Sequence, residues 1–151
     1  MQIAQRIVEA LRQVPGLTSL GAIGSVAMGT AGAVSDLDMV GTYGPGFHLS
    51  AFEAACDSIG RDPDAVAHSA DPETLIAALR VEGVSVSVIL GPESHLLDTA
   101  RRVLQAPRED YDLKFASYGH AAVLYDPKNL WPGVKAAIQV AQKKLAMGTE
   151  I

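Results

Sequence analysis

Short apolar runs alternate with amphipathic helical patterns along this chain, and this alternation limits the folds that it can adopt. Apolar residues recur at helical spacing from Ile3 to Val14, and Pro15-Gly16 ends the pattern. Two short apolar runs, Leu17 to Ile23 and Leu37 to Thr42, then predict largely buried strands. Strands and helices that alternate in this way predict the α/β (α+β) class, with helices packed against a sheet.

The same periodicities predict the later elements. Asp71-Pro72 has the form of a helix start, and Leu75, Ile76 and Leu79 form the apolar stripe of a predicted helix that ends at Gly83. The elements expected after it are a strand at 84–90 (VSVSVIL), a helical stripe from Leu96 to Leu104, a strand that ends at Asp126-Pro127, and a last helix that opens at Pro132.

Length and charge narrow the classes of protein further. With 151 residues and no linker-like change of composition, residues 1–151 are expected to form a single domain. The net charge of −5 offers no broad attraction for nucleic acid or an anionic membrane surface. Cys56 has no internal disulfide partner, and no long apolar run or signal peptide is evident. These features predict a cytoplasmic protein that does not act on a membrane.

The segment GSVAMGTAGAVSDLDMV, residues 24–40, carries the strongest functional signal. Residues two apart on a strand project from the same face, so Asp36 and Asp38 would direct both carboxylates to one point. Two such carboxylates repel each other unless a cation lies between them, and Mg²⁺ commonly combines one or two carboxylates with substrate phosphate oxygens. Gly24 and Ser25 lie at a strand end, where backbone N–H groups and a hydroxyl can bind phosphate.

Two better-known phosphate loops do not match this segment. The glycines at 24 and 29 have the spacing of a Walker A loop, but Thr30 and Ala31 stand where the lysine and the Ser/Thr are required. Gly21, Gly24 and Gly29 also lack the separations of a dinucleotide-binding fingerprint.

Residues 24–40 resemble the nucleotidyltransferase superfamily of the DNA polymerase beta type, especially its minimal nucleotidyltransferase members. The resemblance implies a nucleotidyltransferase fold, a short mixed β-sheet flanked by helices. It also implies that Gly24 and Ser25 hold the triphosphate, that Ser35 supports nucleotide binding, and that Asp36 and Asp38 are the catalytic, Mg²⁺-binding carboxylates. The LYDP segment at 124–127 also looks like a late strand of such proteins.

Two departures from the family pattern affect the expected activity. A third carboxylate is usual on a following strand, but VSVSVIL carries Ser85 and Ser87 on the expected face. Serine is neither a comparable ligand nor a base at neutral pH. Other candidates for a third acid are Glu82, Asp110 and Asp112. Met28 also replaces an arginine that minimal members often carry.

Two functional hypotheses follow. The first is a Mg²⁺-dependent enzyme that moves a nucleoside monophosphate from an NTP, with ATP as first choice, to a hydroxyl of a small-molecule, protein or RNA acceptor. The second is a catalytically degenerate module that binds nucleotide or, like antitoxin relatives, a protein partner or a second copy of the chain. A third interpretation treats the 151 residues as the catalytic core of a longer chain.

Overall fold

The structure is a computed structural model that describes residues 2–23, 37–68, 73–94, 96, 98 and 121–146; of residues 61–68, 145 and 146 it describes the backbone only. In chain order the elements are α1 (Gln2–Leu11), β1 (Leu17–Ile23), β2 (Leu37–Tyr43), α2 (Leu49–Ile59), β3 (Arg61–His68), β4 (Leu75–Val81), β5 (Val84–Pro92), β6 (Ala122–Tyr125) and α3 (Trp131–Ala146).

The strands form one mixed sheet in the order β3-β4-β5-β2-β1-β6. The pairing of β2 with β5 is parallel, and every other pairing is antiparallel. The chain leaves β2 through α2 and returns through the antiparallel pair β3–β4 before β5 joins β2. Strand β2 therefore lies inside the sheet, with β1 on one side and β5 on the other.

Helices cover both faces of the sheet. On one face, α1 and α2 pack against alternate strand residues in a core that includes Leu20, Met39 and Val88. On the other face, α3 packs against Val40 through Trp131 and neighbouring apolar residues. The predicted α/β class, a mixed sheet flanked by helices, is therefore confirmed.

The sequence patterns predict some elements correctly and miss others. Strand β1 spans the predicted residues, and α1, β2, β5, β6 and α3 lie where they are expected. The helix predicted from Asp71 to Gly83 is wrong, because Leu75–Val81 is strand β4. The turn after it explains the error: Glu82 and Gly83 both have positive φ, 51° and 79°, as in the tight turn of a β-hairpin. Helix α2 and strand β3 were not predicted.

The start of α3 is fixed by Asp126, which follows β6. The backbone N–H groups of Leu130 and Trp131 donate to the two carboxylate oxygens of Asp126, at 2.8 and 3.0 Å. A carboxylate at this position satisfies N–H groups that have no partner inside the helix and interacts favourably with the positive end of its dipole. The predicted boundary at Asp126-Pro127 therefore corresponds to a helix cap.

A buried chain of hydroxyl groups joins α3 to β1 and β2. The indole N–H of Trp131 donates to Ser19 Oγ at 3.1 Å, and Ser19 Oγ lies 2.6 Å from Thr42 Oγ1. Thr42 Oγ1 also lies 2.8 Å from Thr18 Oγ1. All four side chains are buried, so each hydrogen bond replaces one that water would otherwise make. This chain holds α3 at a fixed position over the β1–β2 pair.

We expect Ser19→Ala to lower the free energy of unfolding by about 1 to 3 kcal/mol, because it leaves the indole N–H of Trp131 buried without its acceptor. Urea denaturation measures the change. Ser58→Ala is the matched control, since Ser58 is exposed and donates to Ala55 O within α2. This replacement should change the free energy of unfolding by no more than about 0.5 kcal/mol. Equal losses in the two variants would contradict a structural role for the buried chain.

Candidate functional site

Asp38 is the predicted site residue that the structure describes. It is the second residue of β2 and is half-buried. Gly24, Ser25, Ser35 and Asp36 lie outside the described residues. The geometry of the candidate site is therefore built outward from Asp38.

Asp38 lies on the face of the sheet that α3 partly covers. Its neighbours Leu37 and Met39 belong to the core under α1 and α2, whereas Val40 belongs to the cluster around Trp131. Because successive strand residues point to opposite faces, Asp38 shares its face with Val40. The carboxylate is thus kept out of the larger core, and Asp38 has a polar or charged interaction in this position.

The end of β1 lies directly beside Asp38. Ile23, the last residue of β1, is the register partner of Asp38 across the antiparallel β1–β2 pair. Opposed residues in such a pair have Cα atoms about 4.5 to 5.5 Å apart. Gly24 and Ser25 follow Ile23 in the sequence and lie outside the described residues. The described part of the motif is thus the end of β1 beside Asp38.

Strand β5 places Ser87 on the other side of Asp38. Asp38 and Ser87 are register partners in the parallel β2–β5 pair. Val86 and Val88 belong to the core under α1 and α2, so Ser87 lies on the same face as Asp38. Ser87 is therefore on the face that was expected for it, beside Asp38, and its side chain there is a neutral hydroxyl.

Glu82 is too distant to replace the third carboxylate. From Val84 to Ser87 the strand rises by about 10 Å, and Glu82 lies in the turn before Val84. Its carboxylate oxygen Oε1 is instead 3.1 Å from Arg6 Nη1. The other two candidates, Asp110 and Asp112, lie outside the described residues.

Strand β4 adds residues to this face that the sequence patterns did not identify. Ala78 is the register partner of Ser87, and Arg80 is the partner of Ser85. Ala77 and Leu79 point into the core, so Ala78 and Arg80 lie on the face of Asp38. Both were missed because this segment was predicted to be a helix. The Glu-Gly pair at 82–83, between two apolar runs, was the signal that could have shown a hairpin.

The residues around Asp38 offer few metal ligands, as in magnesium sites where substrate phosphates supply the others. Mg²⁺ keeps several waters and is usually bound by one or two carboxylates plus substrate phosphates. Asp38 offers one carboxylate, and the small side chain of its register partner Ser87 offers a neutral hydroxyl. Within the described ranges, no three His, Cys, Asp or Glu side chains come together as a metal-binding group. The site thus fits an ion that a phosphate tail helps to hold.

Among the residues that the structure describes, no helix has both the length and the apolar character needed to cross a lipid bilayer.

Comparison with models of known protein families gives no match for this chain, and comparison with curated proteins gives none either.

We expect Glu82→Gln to leave magnesium-dependent nucleotide binding unchanged within about twofold, because Glu82 belongs to an exposed ion pair at the hairpin turn. Asp38→Asn should weaken the same binding more than about tenfold, since it removes the carboxylate that is expected to bind the ion. Calorimetric titration with Mg-ATP measures both. A large loss in the Glu82 variant would place this carboxylate in the site and would contradict the geometry given above.

Proposed function

We propose that this chain is a Mg²⁺-dependent nucleotidyltransferase with a nucleotidyltransferase-type fold. It transfers a nucleoside monophosphate from an NTP, with ATP as first choice, to a hydroxyl group of an acceptor. The acceptor oxygen bonds to the α-phosphorus, the bond from that phosphorus to the oxygen bridging to the β-phosphate breaks, and pyrophosphate leaves. The acceptor hydroxyl gives its proton to solvent water.

The register pair Ile23–Asp38 is the observation that carries this proposal. It places Ile23, the residue that precedes Gly24 in the sequence, opposite Asp38. A backbone segment that can bind phosphate and a carboxylate that can bind Mg²⁺ are both needed to hold a metal-bound triphosphate. In this proposal Asp38 on β2 is a metal-binding carboxylate, the Gly24-Ser25 segment that follows β1 in the sequence binds phosphate, and Asp36 precedes Asp38 by two residues.

Each residue then has a distinct role in the proposed reaction. Gly24 and Ser25 hold the β- and γ-phosphates, Ser35 supports nucleotide binding, and Asp36 with Asp38 hold the magnesium ion. When bound, magnesium neutralises charge on the phosphate oxygens of the nucleotide. The protein residues position the triphosphate so that the acceptor and the leaving pyrophosphate are in line, which is most of what phosphoryl transfer requires of an enzyme.

A second function is favoured by one specific observation, the neutral Ser87 beside Asp38. A transferase site with less negative charge fixes its metal ions poorly, whereas binding of a metal nucleotide needs fewer ligands. The alternative proposal is therefore a module that binds Mg-NTP without transferring it and that acts through a protein partner or a second copy of the chain. In either case we propose that the protein works in the cytoplasm.

The double variant Asp36→Asn with Asp38→Asn tests the proposed function. We expect it to abolish Mg²⁺-dependent release of pyrophosphate from ATP, because both proposed carboxylate ligands are lost while side-chain volume is kept. Pyrophosphate is measured with ATP in the presence of a cell extract depleted of nucleotides as the acceptor source. Asp57→Asn is the matched control: it removes a carboxylate from the exposed side of α2 and should retain full turnover.

Three outcomes separate the proposals. Turnover by the wild type that the double variant loses supports the transferase. Mg-ATP binding by calorimetry without pyrophosphate release supports the binding module. Turnover or binding that survives unchanged in the double variant contradicts both, because each requires the aspartate pair.

A further inference from the structure

The side chains on the sheet face beside Asp38 differ in charge from strand to strand. On β4 and β5, the strand residues that share this face include none with a negative charge; they are Ile76, Ala78, Arg80, Ser85, Ser87, Ile89 and Gly91. Arg80, which is exposed, adds a positive charge. The charge on this face thus changes from negative at Asp38 on β2 to neutral on β5 and to positive at Arg80 on β4.

The position opposite Asp38 is where a further carboxylate would reach the same ion. Register partners on adjacent strands lie about 4.8 Å apart, so the side chains of Asp38 and residue 87 are direct neighbours. Paired metal sites hold two ions about 3.5 to 4 Å apart, and their mutual repulsion must be offset by anionic ligands that lie between or beside them. The Ser87 hydroxyl carries no charge that could do this.

We infer that Ser87 restricts the Asp38 site to one divalent ion per bound nucleotide. The inference rests on the proposed nucleotide site and deepens it: the ion enters with the phosphate tail and is held by the aspartates. Among the described residues of β4 and β5 on this face, none offers an anionic ligand to a second ion. An acid at residue 87 then completes a second ion site. The serine at this position thus determines the metal stoichiometry of the site.

The experiment counts Mn²⁺ ions bound to the protein in the presence of adenosine 5′-(α,β-methylene)triphosphate, an analogue that cannot release pyrophosphate. Free Mn²⁺ is measured by electron paramagnetic resonance during a titration of the protein–analogue complex. We expect one bound Mn²⁺ per analogue for the wild type and two for Ser87→Asp. Circular dichroism verifies that the variant keeps the wild-type secondary structure.

Ile76→Asp is the matched control for added charge. Residue 76 is exposed on the same face, two strands and two residues away from Asp38, about 12 Å between Cα atoms. An acid there adds the same charge outside the reach of the site, so the count should stay at one ion per analogue. A count of two in this control would show that the second ion binds through general charge, and it would overturn the role given to Ser87.

The remaining outcomes distinguish a failure of the inference about Ser87 from a failure of the proposed function. Two Mn²⁺ ions per analogue in the wild type overturn the inference directly and need no variant. One ion in both the wild type and a folded Ser87→Asp also overturns it, while the proposed function stands. If the wild type binds no analogue at all in the presence of Mn²⁺, the proposed function fails and the inference fails with it.

Discussion

The two-sided environment of β2 is the constraint on which the rest of the structure depends. Leu37 and Met39 face the core under α1 and α2, whereas Asp38 and Val40 face α3. A shift of one residue in the pairing of β2 would bury the Asp38 carboxylate in an apolar core and expose the two apolar side chains. The cost of burying that charge fixes the register on both sides of β2, and the register places Ile23 and Ser87 beside Asp38.

Helix α3 stabilises the pairing of β1 with β2 from the face of the sheet opposite α1 and α2. Its start is fixed by the Asp126 carboxylate, and its first residue, Trp131, is hydrogen-bonded to Ser19 on β1. Ser19 in turn is linked to Thr42 on β2. The polar connections thus join the late part of the chain to the two strands that carry the candidate site. Because these groups are buried, they favour one position of α3 over other apolar packings of similar area.

Local sequence patterns predicted an element correctly where the residues next to it mark its start and its end. Strand β1 was predicted to the residue because Pro15-Gly16 precedes its apolar run and Gly24 ends it. The spacing of Leu75, Ile76 and Leu79 fits a helix and a strand alike, and only the Glu82-Gly83 turn decides for the strand. Helix α2 gives a weak pattern, since Phe52 and Cys56 are its fully buried residues and its N-cap residue His48 makes no side-chain cap. The same distinction applies to the candidate site. Its Gly-Ser and Asp-x-Asp pattern is local in the sequence, whereas the positions of Ser87 and Ala78 depend on pairings between strands that are distant in sequence.

We propose that a metal-bound nucleotide lies at the junction of β1, β2 and β5, and paramagnetic broadening of backbone amide signals by Mn-ATP can locate it. The amides of Ile23, Asp38 and Ser87 should lose intensity first, in a saturable way, because the proposed ion lies within a few ångströms of these register partners. Gly46, which lies beyond the opposite end of β2, should keep its intensity. Broadening centred on another surface, or equal loss at Gly46 and Asp38, would contradict the claim.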